Sequence, residues 1–523
     1  MQSDSETSSS SSTPESVMHI VHIEPLNQKL KAAHGTPLQE LLFETGVEFP
    51  CGGNGRCRGC RIRLLEGDLP VNDLQRERLS AKEIAEGWRL ACQSSVEGNL
   101  TLEIRQWDAA ILSEDSHFAF TPQEGIGLVV DLGTTTLVTQ LLDLHTGQVL
   151  GVRSALNSQG RFGADVMSRV QYAVSNREEA LLTKLIRNQI NSLIKQLLHL
   201  VPDRADTVRK VILAGNTVMH HLFCGLDMEP LSYSPFETEQ NGLQTFHPQE
   251  LGWDEMPSRS QVQFLPCLGS FVGSDLLAGI LATGMHLSEC PQILIDLGTN
   301  GEIVIGNSRH ILCASTAAGP AFEGAMIEMG MRAAQGAVWR VKASGENMEC
   351  DVLGNIPARG ICGSGLVDAV AVGLEQRRIL PSGRLSQPGP LLLNPNILLT
   401  QKDIRQLQLA KGAIAAGARI LMKHWGASNK DISRVSLAGA FGNYIDLESA
   451  QRIGLLHFPI EQMHPAGNTS LLGAKIAMLA REENGLDFQE IRAITTHYSL
   501  NADSEFQDIF VEEMGFPNSK LNQ

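Results

Sequence analysis

No run of 18 apolar residues occurs in this 523-residue chain, so no segment is expected to span a membrane. A basic excess is missing too: 42 Lys and Arg stand against 58 Asp and Glu, a net charge of −16. That balance argues against nucleic acid as the main partner, because phosphate binding needs a basic face. Ten cysteines are too few for a disulfide scaffold in a chain this long. Met1 to Ser16 holds eight serines where a signal peptide would place basic and then apolar residues. A reducing, cytoplasmic setting is the expectation. Neither a P-loop nor an ordered Gly-x-Gly-x-x-Gly after a strand is present, which closes two common routes to ATP or dinucleotide binding. What is there is ordinary globular composition, 42% hydrophobic and 19% charged, with length for about three domains.

Charge and cysteine are unevenly placed. Residues 1–17 carry −3 through Asp4, Glu6 and Glu15 and have too few apolar groups to offset the entropy of ordering, so they are read as a disordered tail. Residues 18–107 are nearly neutral, with 11 basic and 12 acidic side chains, which leaves −12 on residues 108–523. Met18–Glu24 alternates like a strand and a second strand is expected near Lys29–Ala33. Thr36-Pro-Leu-Gln39 reads as a capping box opening a helix that Gly46 ends, and Arg61–Leu65 and Asn99–Ile104 alternate again. Residues 18–107 therefore form one mixed unit, 108–125 a polar linker, and 126–523 an α/β region where buried strands such as Gly127–Asp131 alternate with long helices. One helix is expected to start at Ser175-x-x-Glu178 and carry Leu182, Leu185, Ile186, Ile190, Leu193 and Leu197. Another should start at Thr400-x-x-Asp403 with Ile404, Leu407, Ile414 and Leu421.

Four cysteines cluster: Cys51-Gly-Gly-Asn-Gly-Arg-Cys57-Arg-Gly-Cys60, then Cys92 in Leu90-Ala-Cys-Gln93. Three thiolates in one tight loop with a remote fourth suit a 2Fe-2S cluster better than zinc, whose sites present two separated Cys-x-x-Cys pairs. Glycines in the loop let backbone N–H groups turn toward sulfur. Five residues separate the first two cysteines, as in adrenodoxin-like 2Fe-2S ferredoxins. Arg56, Arg58, Arg61 and Arg63 lie in and beside the loop; they either favour the reduced cluster and dock an acidic partner, or are plain solvated side chains. The remaining six, Cys224, Cys267, Cys290, Cys313, Cys350 and Cys362, share no ligand spacing and read as buried thiols, and the adjacent His220 and His221 would face apart on a helix.

Two strands end alike 165 residues apart, in Asp131-Leu-Gly133-Thr134-Thr135-Thr136 and Asp296-Leu-Gly298-Thr299-Asn300-Gly301-Glu302. Glycine permits a tight turn whose N–H groups contact phosphate, threonine offers hydroxyls, and aspartate can hold hydrated Mg²⁺. One such turn is weak evidence; two, spaced as if one stood in each half of a duplicated domain, resemble the phosphate loops of the actin, sugar kinase and Hsp70 superfamily. Ala214-Gly-Asn216-Thr217, Ala317–Gly324, Gly360–Gly365 and Ala438-Gly439-Ala-Phe-Gly442 add small-residue turns, the last resembling the superfamily's adenosine motif.

These motifs, with Gly163-Ala-Asp-Val between them, resemble the reductive activators of corrinoid proteins over about residues 18–516. The resemblance implies a β-grasp 2Fe-2S ferredoxin domain followed by a two-lobed, ribonuclease H-like ATPase domain. It implies that one electron passes to a Co(II) corrinoid, such as a methyltransferase component, to restore Co(I), with ATP and Mg²⁺ as cofactors. Cys51, Cys57, Cys60 and Cys92 would hold the cluster; Asp131, Asp296 and Asn216 would be catalytic. Gly133, Thr134, Thr135, Gly298, Thr299 and Asn300 would contact phosphates, and Gly439 and Gly442 would flank adenosine. An upstream electron donor is implied, and a homodimer is compatible. The family's longest members carry a further middle domain, for which about 18 residues stand here. Two other classes stay open: a small-molecule kinase of the sugar-kinase type with a regulatory cluster, and a redox-sensing ATP-binding module.

Overall fold

The computed structural model describes residues 17–24, 28–43, 60–103, 122–176, 180–234, 236–298, 300–334, 336–353, 357–480 and 488–517. The expected tail, except Val17, and residues 108–121 of the expected linker lie outside them. The chain forms two compact units, one built on the first five strands and one on everything that follows.

In the first unit, β1 (Met18–Glu24) pairs antiparallel with β2 (Gln28–Ala33) and parallel with β5 (Leu100–Glu103); β3 (Arg61–Glu66) joins β5 to β4 (Trp88–Leu90). The order β2-β1-β5-β3-β4 is that of a β-grasp sheet. Period-two burial of Val21 and Ile23, and of Leu100 and Leu102, turns one sheet face onto α1 (Leu38–Phe43), where Leu38 and Leu42 are also buried. The helix opens one residue later than a Thr36 cap requires, at Leu38, and the Thr36 hydroxyl donates to the Ala33 carbonyl, closing the preceding turn. Gly46 lies outside the described residues. Two short helices, α2 (Asp73–Arg78) and α3 (Ala81–Ala85), are capped by Asn72 and by a Ser80–Glu83 capping box.

The second unit is built twice over. An antiparallel meander of β6 (Ile126–Leu132), β7 (Thr136–Asp143) and β8 (Val149–Leu156) is extended beyond β6 by the parallel strands β9 (Val208–Gly215) and β11 (Gln261–Phe264), with β10 (Gln244–Phe246) at the edge. A second meander of β12 (Gln292–Leu297), β13 (Gly301–Gly306) and β14 (Ile311–Thr316) follows. Two small sheets come next, made of β15 (Ala337–Ser344), β16 (Asn347–Val352) and β17 (Gly360–Ile361), and of β18 (Leu391–Asn394) and β19 (Ile397–Leu399). The parallel strands β20 (Arg434–Ala438) and β21 (Met463–Gly467) then extend the second meander beyond β12, and β22 (Thr495–His497) closes its far edge. Both large sheets thus share one strand plan.

Helices cover the outer faces. In the first half, α4 (Val166–Ser175), α5 (Leu181–Leu198) and α6 (Thr217–Cys224) do so, with Leu182, Ile186, Ile190, Leu193 and Leu197 of α5 buried as the spacing requires and Leu185 half-buried. Ser175 does not open α5: it ends α4. After β11 comes α7 (Ser274–Thr283). In the second half, α8 (Gly363–Glu375) and α9 (Gln401–Trp425) pack on the sheet, and α9 begins at the expected Thr400–Asp403 capping box. The chain ends through α10 (Gly439–Tyr444), α11 (Leu447–Arg452), α12 (Thr469–Leu479), α13 (Phe488–Ile494) and α14 (Phe506–Met514).

Between the two sheets run α7 and α12. Leu471, Ala474 and Met478 of α12 pack on Val129, Ile212 and Ala214 of the first sheet, and Leu276, Leu277 and Ile280 of α7 pack on Leu294, Val304 and Ala438 of the second. The helices meet backbone to backbone, since a Cβ on Gly473 would fall 2.0 Å from the Ala278 carbonyl oxygen. That crossing delivers each helix N-terminus to the carboxyl ends of the strands, where α/β sheets bind ligands.

Candidate functional site

In the first unit, the β3–β4 ladder pairs Arg61 with Leu90, and the Ala91 N–H donates to the Cys60 carbonyl at 3.0 Å. Buried Cys60 and half-buried Cys92 are therefore brought to one end of the sheet from positions 32 residues apart. Cys51 and Cys57 lie outside the described residues. Two thiols gathered in this way fit a cluster whose fourth ligand is remote from its loop. Gln75 was not singled out from the sequence. It is fully buried; its Oε1 accepts the Leu90 N–H at 2.9 Å and its Nε2 donates to the Gln93 carbonyl at 3.3 Å, bracing the turn that carries Cys92 on both sides. The Gln93 side-chain N–H reaches the Cys92 sulfur at 3.7 Å. Of the basic rim, Arg61 pairs with Glu83 at 3.3 Å and stacks over Trp88, and Arg63 donates to the Glu86 carbonyl and approaches Glu103. These two arginines are committed within the unit.

In the second unit, the glycine N–H of each Asp turn closes back on the chain, over three residues in the first turn and two in the second. The Gly133 N–H donates to the Thr136 carbonyl and the Gly298 N–H to the Asn300 carbonyl, each at 3.1 Å. Thr299 lies outside the described residues. Asp131 accepts from Asn468 at 2.8 Å and Ser470 at 3.0 Å, both from the N-terminus of α12. Asp296 lies at the end of β12, and a Cβ on Gly439, whose φ is +85°, would come within 2.7 Å of its Oδ1. Gly439 is thus placed against the carboxylate, while Gly442 packs on the Leu437 carbonyl of its own strand. Asn216 caps α6 through the Met219 N–H and donates to the Thr134 hydroxyl at 2.9 Å, which makes it a brace for the first turn.

Two acids join the predicted pair. Asp275, in the first turn of α7, and Glu302, opposite Asp296 in the β12–β13 ladder, interact electrostatically with Asp296. All four carboxylates are enclosed by protein atoms yet keep some solvent contact, as on the floor of a cleft. Burial first, and then the Asp131 charge, push Asp296 up to about 7. Asp275 is pushed up to about 7 by burial, with Asp296 and Asp131 adding to it against the Leu276 N–H. Glu302 is raised by burial and by Asp275 and Asp296, and Asp131 is raised by burial against the bonds from Asn468 and Ser470. Carboxylates held near one another fit a bound cation. Among the described residues no three Asp, Glu, His or Cys side chains converge as a direct ligand set.

The remaining candidates are structural. His220 and His221 are buried; His220 is pushed down to about 4 by burial and His221 and packs edge-on to Phe264, while His221 contacts the Asp227 carbonyl at 2.8 Å. Cys224, Cys267, Cys313 and Cys362 are buried and Cys350 half-buried, but Cys290 is exposed, against expectation. Burial pushes Cys267 and Cys313 up to about 12 and also raises Cys362, which keeps these thiols inert.

Family models match three stretches: a 2Fe-2S iron-sulfur cluster binding domain at residues 21–97, the RACo middle region at 126–288, and the C-terminal domain of RACo, the ASKHA domain, at 291–523. The stretch matched as the middle region is the first half of the second unit, which carries Asp131. A corrinoid activation enzyme, RamQ, from Eubacterium limosum is 34% identical over 433 residues, 76% of this chain and 71% of that protein. A [Co(II) methylated amine-specific corrinoid protein] reductase from Methanosarcina barkeri is 28% identical over 422 residues, 75% of this chain and 77% of that protein. Among solved structures, a reductive activator for corrinoid, iron-sulfur protein superposes with a TM-score of 0.69 at 29% identity, over 96% of this chain and 99% of that one. By its three matched regions and by likeness along most of its length, the chain belongs to the family of reductive activators of corrinoid proteins.

Proposed function

We propose that this protein restores an inactivated corrinoid protein by passing one electron to its Co(II), giving Co(I), in a step that depends on Mg²⁺ and ATP. The observation that carries the proposal is the presence in one chain of a cysteine-bearing ferredoxin unit and a duplicated sheet plan with Asp131, Asp275, Asp296 and Glu302 interacting at its strand ends. A 2Fe-2S cluster on Cys51, Cys57, Cys60 and Cys92 supplies one-electron transfer. The chain's own contribution there is to fix the Cys92 turn through Gln75 and to enclose Cys60. In the cleft, the turns after β6 and β12 receive phosphates, and the paired carboxylates hold the hydrated cation and orient water. For one electron each 59 mV is tenfold in equilibrium, so an uphill transfer of a few hundred mV costs on the order of 5 kcal/mol. Nucleotide binding can supply this only by favouring one conformation over another. An upstream reductant recharges the ferredoxin unit, and the cytoplasm suits its thiols.

The test is a spectroscopic assay of Co(II) to Co(I) conversion in a candidate corrinoid protein. Cys57→Ser should abolish cobalt reduction and leave ATP binding as in the parent; retained electron transfer would remove the cluster assignment. Hydrolysis stimulated by the corrinoid partner, with no phosphorylated small molecule formed, separates this function from a kinase.

A further inference from the structure

The stretch from Asn157 to Arg169, which contains Gly163-Ala-Asp165-Val, lies outside the carboxylate cluster yet holds the carbonyls of the first Asp turn. The Gly133 carbonyl accepts from the Asn157 side chain at 2.9 Å, the Thr134 carbonyl from Arg169 Nη2 at 2.5 Å, and the Thr135 carbonyl from the Asn157 backbone N–H at 2.9 Å. A trans peptide points its C=O and its N–H to opposite sides. Drawing three successive carbonyls toward Asn157 and Arg169 therefore turns the N–H groups of Thr134, Thr135 and Thr136 the other way. Successive N–H groups on one side of a turn make an anion-binding concavity.

The donors are rigidly built. Asn157, Gln159 and Arg169 are all at or below 1% exposure. Asn157 Oδ1 accepts the Gln159 N–H at 3.0 Å, and Gln159 Nε2 donates to the Leu182 carbonyl at 3.0 Å. Arg169 Nε donates to the Gly163 carbonyl at 2.9 Å, and its Nη1 reaches Gln159 Oε1 at 3.4 Å. A Cβ on Gly163 would sit 2.7 Å from that of Ser168, so only glycine lets that carbonyl approach. The oxygens that Arg169 meets belong to two peptides and one amide. The nearest acid influencing it, Asp165, is occupied in capping α4 through Ser168. A guanidinium buried among neutral partners is costly unless an anion offsets it.

We propose that Asn157 and Arg169 act as a carbonyl clamp that sets the first Asp turn for a nucleotide phosphate, the bound phosphate being the counter-charge of Arg169. Both are positioning residues, and the clamp rests on the nucleotide function proposed above. It is tested on the full-length protein by equilibrium titration with Mg-ATP, and with adenosine in competition, for the parent, Arg169→Gln and Asn157→Ser. Arg169→Gln should bind Mg-ATP at least about tenfold more weakly, the scale of one hydrogen bond from a charged group, and Asn157→Ser about fivefold, the scale of a neutral one, with adenosine affinity unchanged. Unchanged Mg-ATP affinity, or an equal loss for both ligands, overturns the clamp. If Arg169→Gln fails to fold by circular dichroism, Asn157→Ser decides alone, because it leaves the guanidinium in place. A parent protein that binds no ATP would instead refute the nucleotide site itself.

Discussion

The two halves of the second unit share a strand plan but surround their Asp turns differently. The first turn is held by neutral and cationic donors: Asn157, Arg169 and Asn216 brace its loop, and Asn468 and Ser470 neutralise part of Asp131's desolvation. The second turn is bordered by like charge: Asp296 faces the fields of Asp131, Asp275 and Glu302, and burial pushes it up to about 7. One strand plan thus sets the first Asp turn among hydrogen-bond donors and the second among carboxylates.

The largest effect expected from breaking this division is at Asp296. Asp296→Ala should remove the ATP dependence of cobalt reduction while leaving the visible spectrum of the cluster intact, because the substitution lies in the other unit; persistent ATP stimulation would show that the second half does not hold the cation. A pH series sharpens the comparison next. Asp296 is raised from an ordinary 3.8 to about 7, so between those values the folded protein binds more protons than the unfolded chain. The stabilisation this gives is complete below 3.8 and is lost as pH rises through about 7. Mg²⁺ needs the ionised form, so its affinity should climb as pH rises from about 6 to 8, by up to about tenfold per unit below the pKa; a profile flat over that range would contradict the charge cluster. The smallest effect belongs to the first Asp turn: Ser470→Ala removes one hydrogen bond to Asp131, about 1 kcal/mol, and should weaken Mg-ATP about fivefold in the same titration.

Much of this was legible in the chain because it is local. Asp131-Leu-Gly-Thr and Asp296-Leu-Gly-Thr are strand ends with turn chemistry attached, and the cysteine loop carries its spacing openly. Asp275 and the clamp were not legible, since their significance arises only when α7 crosses α12 and when residues 157–169 fold against the turn after β6; Glu302 stood in the second motif, but its facing of Asp296 needed the β12–β13 register. A faint signal existed in the repeat of Leu276-Leu-Ala-Gly279 as Leu471-Leu-Gly-Ala474, the two faces that pack at that crossing. Ser175-x-x-Glu178 misled because the same residue types that open helices also occur where one ends: Ser175 closes α4, and α5 starts only after Ala180 at a φ of 44°. Thr36 misled because α1 opens only at Leu38, after Pro37, while the Thr36 hydroxyl closes the turn to Ala33.

The central claim, that a nucleotide cleft governs electron delivery from the ferredoxin unit, is tested most directly by recording the absorbance change as Co(II) corrinoid protein is converted to Co(I) by the pre-reduced protein, with and without Mg-ATP. Co(I) should accumulate only when Mg-ATP is present; accumulation at the same rate and to the same extent without nucleotide would contradict the account.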